Sequence, residues 1–128
     1  MRAVDTNLVV RVTVRDTPKQ VAAAEKEIAS GAWVSMVVLA ESLWVLSSIY
    51  DFSRAQQQSF LKHMLAHEYF NLQDPDVVQS AAALFIEHPK VGFADCLLLE
   101  TARKSGHLPL VTFDAALSKL PGAVRLRA

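Results

Sequence analysis

Four carboxylates are spread along the sequence at positions from which they could meet in one site. They are Asp5, Glu41, Asp95 and Asp114. Carboxylates that gather in one pocket repel each other unless a cation lies between them, and ligands that are all oxygen suit Mg²⁺ or Mn²⁺. Such an ion can activate a water molecule for in-line attack on a phosphodiester and stabilise the charge that develops on the phosphorus oxygens. The four acids therefore predict a divalent-metal site for phosphate chemistry.

Glu41 and Asp95 each interrupt an apolar face of a predicted helix. Residues three and four positions away lie on the same face as the acid. These neighbours are Val37, Val38, Trp44 and Val45 around Glu41, and Val91, Gly92, Leu98 and Leu99 around Asp95. A buried carboxylate is costly unless it is paired, protonated or bound to a cation. We therefore expect both acids to lie on the face that packs on the sheet; the alternative is an acid at the edge of that face, reaching solvent or an arginine.

Asp5 and Asp114 follow predicted strands. Open parallel sheets bind their ligands at the carboxyl ends of the strands, and both acids are expected at that edge. Each could instead merely cap the helix that follows it, because aspartate is a favoured N-cap residue. Three neighbouring polar residues could orient a carboxylate or contact a phosphate, or have ordinary turn and cap roles. These supporting candidates are Thr6, Asn7 and Thr112.

Short apolar runs alternate with segments of helical periodicity. The predicted strands are Arg2–Val4, Ala32–Ser35, Tyr69–Leu72, Pro109–Thr112 and Val124–Leu126. The first predicted helix follows Asp5, and the second runs from Pro18 towards Gly31. The other predicted helices are Val37–Tyr50, Arg54–His67, Pro75–Glu87, Phe93–Ser105 and Asp114–Leu120. This alternation predicts right-handed crossovers and a three-layer α/β/α sandwich with a central parallel sheet of about four or five short strands.

Length and composition are those of one folded domain. With 128 residues, 52% of them hydrophobic and 20% charged, the chain is expected to form a single domain over residues 1–128. The single cysteine, Cys96, fits a reducing cytoplasm, and the apolar runs are too short to cross a membrane. The 13 basic and 13 acidic residues cancel, but setting aside the four carboxylates leaves 13 basic against 9 acidic residues, a net charge of +4. Overall charge therefore neither supports nor excludes binding of RNA.

Four segments around these acids resemble the PIN-domain family, and in particular the VapC-type toxins of bacterial type II toxin–antitoxin systems. The segments are Val4-Asp5-Thr6-Asn7-Leu8-Val9, Val38-Leu39-Ala40-Glu41-Ser42, Phe93-Ala94-Asp95-Cys96-Leu97 and Leu110-Val111-Thr112-Phe113-Asp114. Each segment alone is a weak indication, but the four occur in order and at compatible spacing. The resemblance covers nearly the whole chain.

The resemblance implies a PIN-like fold and a Mg²⁺- or Mn²⁺-dependent endoribonuclease that inhibits translation, often by cutting transfer or ribosomal RNA. It implies that Asp5, Glu41, Asp95 and Asp114 are catalytic residues and metal ligands, with Glu41 or Asp95 orienting or deprotonating the attacking water. It also implies a homodimer and a cognate antitoxin that covers the site. Some relatives carry a further acid near the third or fourth position, which leaves one metal or two open here; this chain has Gly92, Ala115 and Ala116 there.

Several other classes of function compete with this interpretation. A receiver-type phosphoacceptor domain would need an aspartate after the third strand and a lysine after the last, but the chain has Leu72-Gln73 and the arginines Arg125 and Arg127. A haloacid-dehalogenase-like phosphatase would need Asp-x-Asp where the chain has Asp5-Thr6-Asn7. A housekeeping RNA-processing nuclease, and a domain of this fold that acts only through protein partners, stay open.

The remaining candidates are weaker. His63 and His67 are four apart and could share a metal, but a solvated helix face is the simpler explanation. Cys96 is interpreted as a packing residue. Four aromatic residues are interpreted as core or dimer contacts rather than base-stacking platforms: Trp33, Trp44, Tyr50 and Phe60. Six basic residues could line an RNA track or simply be solvated. They are Arg11, Arg15, Arg54, Lys90, Arg103 and Lys104.

Overall fold

The computed structural model describes residues 1–128, and the chain divides into two units, Met1–Pro75 and Asp76–Ala128. The first unit contains three strands and four helices. The strands are β1 (Arg2–Ala3), β2 (Ala32–Val34) and β3 (Phe70–Leu72). The helices are α1 (Thr6–Val14), α2 (Pro18–Ile28), α3 (Met36–Ser48) and α4 (Arg54–Ala66).

The three strands of the first unit form a parallel sheet in the order β1-β2-β3. Ala32 of β2 pairs with Arg2 of β1 on one side and with Phe70 of β3 on the other. Because the strands are parallel, their carboxyl ends lie at one edge of the sheet. Asp5 follows β1 closely at that edge.

The start of α3 is fixed to the same edge by two side chains. The Ser35 hydroxyl accepts a hydrogen bond from the Val38 N–H at 3.1 Å, which caps the helix. The Gln73 side-chain oxygen, just past β3, accepts one from the Met36 N–H at 3.0 Å. These bonds satisfy two of the free N–H groups at the helix start and set where α3 leaves the sheet.

The other helices of this unit begin and pack as their sequences indicate. Proline suits the first position of a helix because its fixed φ is helical and it needs no N–H there, and α2 begins at Pro18 as predicted. Its buried residues are Val21, Ala24 and Ile28. α4 begins with a capping box, in which Ser53 and Gln56 each bond to the backbone N–H of the other.

The second unit contains helices α5 (Pro75–Glu87) and α6 (Phe93–Lys104), strands β4 (Leu110–Thr112) and β5 (Ala123–Arg125), and a 3₁₀ helix at Leu117–Lys119. β4 and β5 pair in parallel, with Thr112 opposite Arg125. Phe85 and Phe93 meet edge to face at 6.1 Å between ring centroids. Leu99 and Cys96 of α6 are fully buried, which confirms Cys96 as a packing residue.

The predicted α/β fold with short parallel strands is confirmed, although the strands form one three-stranded and one two-stranded sheet where a single sheet of four or five was expected. All five strands lie within one to two residues of their predicted positions, and each strand pair is parallel. The predicted helix at Asp114–Leu120 is shorter than expected and is only the 3₁₀ turn Leu117–Lys119. No helix combines the length and the apolar character needed to cross a membrane.

Candidate functional site

Asp5 lies at the junction between β1 and α1 and is exposed. Its backbone is extended, and its Oδ1 accepts a hydrogen bond from the Leu8 N–H at 3.0 Å, so Asp5 is the N-cap of α1. The cap occupies one lone pair of one oxygen, and a carboxylate has about four acceptor positions. Asp5 therefore caps the helix and still presents Oδ2 to solvent or to a cation.

Glu41 lies on an exposed face of α3, and the prediction that it interrupts the face packed on the sheet is wrong. Of its four neighbours on the helix, Val37 retains 75% of its accessible surface and Trp44 retains 64%, while Val38 and Val45 are half-buried. The buried face is a different one, made by Leu39, Ser42, Leu43 and Leu46. α3 is apolar on nearly every side, and apolar periodicity cannot identify the buried face of such a helix.

Asp5 and Glu41 nevertheless line one cleft, of about 510 Å³, between α1 and α3. Thr6 and Asn7, the supporting residues expected beside Asp5, line it too. The rest of the lining is largely apolar and comes from both helices and the turn after α3: Val10, Arg11, Val37, Val38, Val45, Ile49 and Tyr50. The first unit thus brings two of the predicted acids to a single recess.

Asp95 lies in the first turn of α6, which begins after Gly92. It is half-buried: Val91 just before the helix and Leu99 on it are buried, whereas Leu98 is exposed. Burial, and secondarily the negative charge of Asp114, raise the pKa of Asp95 above its ordinary value. Asp95 therefore lies at the edge of a packed face. The expectation that the apolar periodicity places it within that face was only partly correct.

Asp114 follows β4 and is held by two local hydrogen bonds. Its Oδ2 accepts from the Leu117 N–H at 2.7 Å, and its own N–H donates to the Thr112 hydroxyl at 3.0 Å. The prediction that Thr112 orients an acid therefore has a structural basis, since its hydroxyl fixes the backbone that carries the Asp114 carboxylate. The second unit thus carries a pair of interacting carboxylates: Asp95 in the first turn of α6 and Asp114 just after β4.

The chemistry of the four carboxylates suits a hard divalent cation. No group of three or more histidine, cysteine, aspartate or glutamate side chains is arranged as a metal site in the structure. Each unit instead supplies two carboxylates, and all four are exposed or half-exposed. Oxygen ligands of this kind are those that Mg²⁺ and Mn²⁺ prefer, and a bound cation would relieve the repulsion between Asp95 and Asp114.

His63 and His67 are poorly suited to share a metal. Their rings meet edge to face at 5.1 Å between centroids, and the His67 Nδ1 accepts a hydrogen bond from the Tyr69 N–H at 3.0 Å. Burial, and then the nearby His63, lower the pKa of His67. With Nδ1 used as an acceptor, the neutral ring carries its proton on Nε2, which leaves no free nitrogen lone pair for a metal.

Arg11 and Tyr50 line the same cleft as Asp5 and Glu41, whereas the sequence patterns indicated Arg11 only as one of six basic candidates and Tyr50 as a core or dimer contact. Arg11 donates to Asp16 at 2.7 Å, to the Thr17 hydroxyl at 3.3 Å and to the Tyr50 hydroxyl. Its Nε is buried and has no hydrogen-bond partner. The two residues are 39 positions apart. The basic charge of Arg11 was the only sequence feature that could have pointed to it, and five other basic candidates shared that feature.

Comparison with known proteins gives one match. The sequence profile described as PIN domain matches residues 2–123. PIN domains are in general nucleases, and they generally use divalent metals such as Mg²⁺. A search of curated proteins found no match. The profile match confirms the predicted PIN-like α/β/α fold class.

Proposed function

Because the chain belongs to the PIN-domain family over residues 2–123, we propose that it is a Mg²⁺- or Mn²⁺-dependent endoribonuclease that hydrolyses RNA phosphodiester bonds. The observation that carries this proposal within the family is the carboxylate pair Asp95 and Asp114. Burial raises the pKa of Asp95 above its ordinary value, and the negative charge of Asp114 raises it further. A site that binds a divalent ion is expected to show this repulsion when the ion is removed.

In the proposed site, Asp5, Glu41, Asp95 and Asp114 are the residues that hold the metal. When bound, the ion supplies positive charge beside the phosphate oxygens and makes an attacking water more acidic. The chain's own contribution is to orient the carboxylates: the Leu8 N–H holds Asp5.

Asp95 is the better of the two acids proposed to take a proton from the attacking water. Burial and Asp114 raise its pKa, and a general base becomes more effective as its pKa approaches the working pH. Glu41 is more exposed, which suits it to orienting water rather than to removing a proton.

The biological role proposed for this activity is that of a toxin in a type II toxin–antitoxin pair. Its support is the resemblance of the four acid segments to VapC-type toxins, which also suggests a transfer or ribosomal RNA target, a homodimer and a cytoplasmic antitoxin partner. A housekeeping RNA-processing nuclease is the second candidate. A short reading frame for a DNA-binding protein directly upstream, whose co-expression relieves growth arrest, would favour the toxin over the housekeeping enzyme.

The test of the activity is cleavage of structured RNA by the purified chain with Mg²⁺ or Mn²⁺, with and without EDTA. We expect EDTA to stop cleavage and Asp95→Asn to abolish it. Asp76→Asn is the matched control, because Asp76 belongs to the same unit and its carboxylate contacts Lys104 at 3.1 Å on the surface. Cleavage that continues in EDTA, or that Asp95→Asn leaves undiminished, would overturn the proposal.

A further inference from the structure

We propose that the cleft between α1 and α3 binds one nucleobase of the RNA strand, and that Arg11 and Tyr50 are its base-contacting, specificity-determining residues. The inference rests on the proposed nuclease function, since it names how the substrate is held beside two of the acids. It concerns only the first unit of the chain, where the whole cleft lies.

The size and walls of the cleft suit a flat, largely apolar ligand. Its volume is about 510 Å³, within the roughly 300–1,000 Å³ typical of small-ligand sites. Much of the lining is aliphatic and includes Val10 from α1 and Val38 and Val45 from α3. A nucleobase presents two apolar faces and polar edges, so it can lie between such walls while its edge reaches polar groups.

Arg11 and Tyr50 supply those polar groups in a fixed arrangement. The Arg11 side chain is only 16% exposed, and Asp16 and Thr17 hold its guanidinium in place. The Tyr50 hydroxyl accepts a hydrogen bond from Arg11 and lies 3.5 Å from the Asp16 carboxylate. Groups held in this way lose little conformational freedom when a ligand binds, which favours selective recognition over general attraction of phosphate.

The positions of the lining residues along the helices indicate how a nucleotide would be oriented in the cleft. Asp5 lies at the start of α1 and Glu41 near the middle of α3, whereas Arg11 lies further along α1 and Tyr50 lies beyond the end of α3. Asn7 and Arg11 are four residues apart, which is about 6 Å along a helix axis. A nucleotide bound in this cleft would therefore place its phosphate near the acids and its base towards Arg11 and Tyr50.

The test uses nucleosides, because they carry the base without the phosphate and so need no metal. Adenosine, guanosine, cytidine and uridine are each titrated into the metal-free, ¹⁵N-labelled full chain. We expect at least one to bind with a dissociation constant on the order of millimolar, shifting the amide signals of Val10, Val38 and their neighbours.

Two variants and two matched controls locate the binding. Tyr50→Phe removes one hydroxyl and is expected to weaken binding about two- to tenfold, the usual effect of one lost hydrogen bond. Val37→Trp, at an exposed position in the lining, is expected to block the cleft and abolish binding. Tyr69→Phe alters the other tyrosine, and Val124→Trp adds the same bulk in the second unit; both should bind like the wild type.

The outcomes separate this inference from the proposed function. Binding that falls in Tyr50→Phe and is lost in Val37→Trp supports the base site, even if the chain cleaves no RNA. Absence of binding by all four nucleosides, or binding that neither variant changes, overturns the base site even if RNA is cleaved with Mg²⁺. Thermal unfolding of each variant shows that a change in binding is not a loss of fold.

Discussion

Substitutions at Asp5 can separate its two roles, the observed cap of α1 and the proposed metal ligand. Asp5→Asn keeps a side-chain oxygen that can accept from the Leu8 N–H, and asparagine is as good an N-cap as aspartate. It removes the negative charge that a cation requires. Asp5→Ala removes both the cap oxygen and the charge. The two variants should therefore agree in activity and differ in stability.

The expected magnitudes follow from the 3.0 Å bond to Leu8 and from the exposure of Asp5. Loss of an N-cap side chain costs about 0.5–2 kcal/mol, so Asp5→Ala should lower the free energy of unfolding by about 1 kcal/mol. Asp5→Asn loses only a charge near the helix start, worth about 0.3–1 kcal/mol. Cleavage should fall about a hundredfold or more in both variants, because a lost metal ligand removes several kcal/mol of transition-state stabilisation.

Urea unfolding in EDTA and RNA cleavage with Mg²⁺ measure the two quantities separately. Ser53→Ala is the matched control, since Ser53 caps α4 and has no proposed part in the site. It should lose stability as Asp5→Ala does and keep full activity. If Asp5→Asn cleaves RNA at the wild-type rate, Asp5 is only a cap and its assignment as a ligand fails.

Two further predictions concern stability without metal. The pKa of Asp95 is raised in the folded state, so the ionised carboxylate destabilises the fold above that pKa, and this loss of stability disappears as pH falls towards the ordinary value. Asp95→Asn should therefore have a higher melting temperature than the wild type at pH 7, and the difference should narrow on acidification. A difference in melting temperature that stays constant with pH would contradict this. The fully buried Ser42 hydroxyl has no hydrogen-bond partner, and such a group costs about 1–3 kcal/mol. Ser42→Ala should raise the free energy of unfolding by about 1 kcal/mol and the melting temperature by roughly 3–6 °C; a lower melting temperature would mean that the hydroxyl is satisfied.

Local patterns in the sequence predicted the elements of the fold well. Pro18 marked the start of α2 because its chemistry fits only the first turn of a helix. The apolar spacing around Asp95 located α6 and its half-buried carboxylate. These features depend on neighbours within about four residues, and the sequence displays those directly.

Features that depend on distant residues were predicted poorly. Glu41 was placed on the packed face of α3, because Val37 and Trp44 are apolar, yet both are exposed. Which side of an all-apolar helix becomes buried depends on what packs against it, and that information lies elsewhere in the chain. The contact between Arg11 and Tyr50 also depends on distant residues, because the two lie 39 positions apart in the sequence.

The structure also changes the question that the sequence posed about Asp5 and Asp114. Capping and metal binding were alternatives there. Asp5 does cap α1, and the Asp114 carboxylate accepts a similar bond from the N–H three residues further on, in the turn before the 3₁₀ helix. The cap takes one carboxylate oxygen and so fixes the direction of the other, a form of preorganisation that a ligand site needs. The hydrogen bond from the Asp114 N–H to Thr112 extends this control to the backbone. A residue that only capped could equally well be serine or asparagine. The negative charge is therefore what separates the two roles, and the asparagine variants remove only that charge.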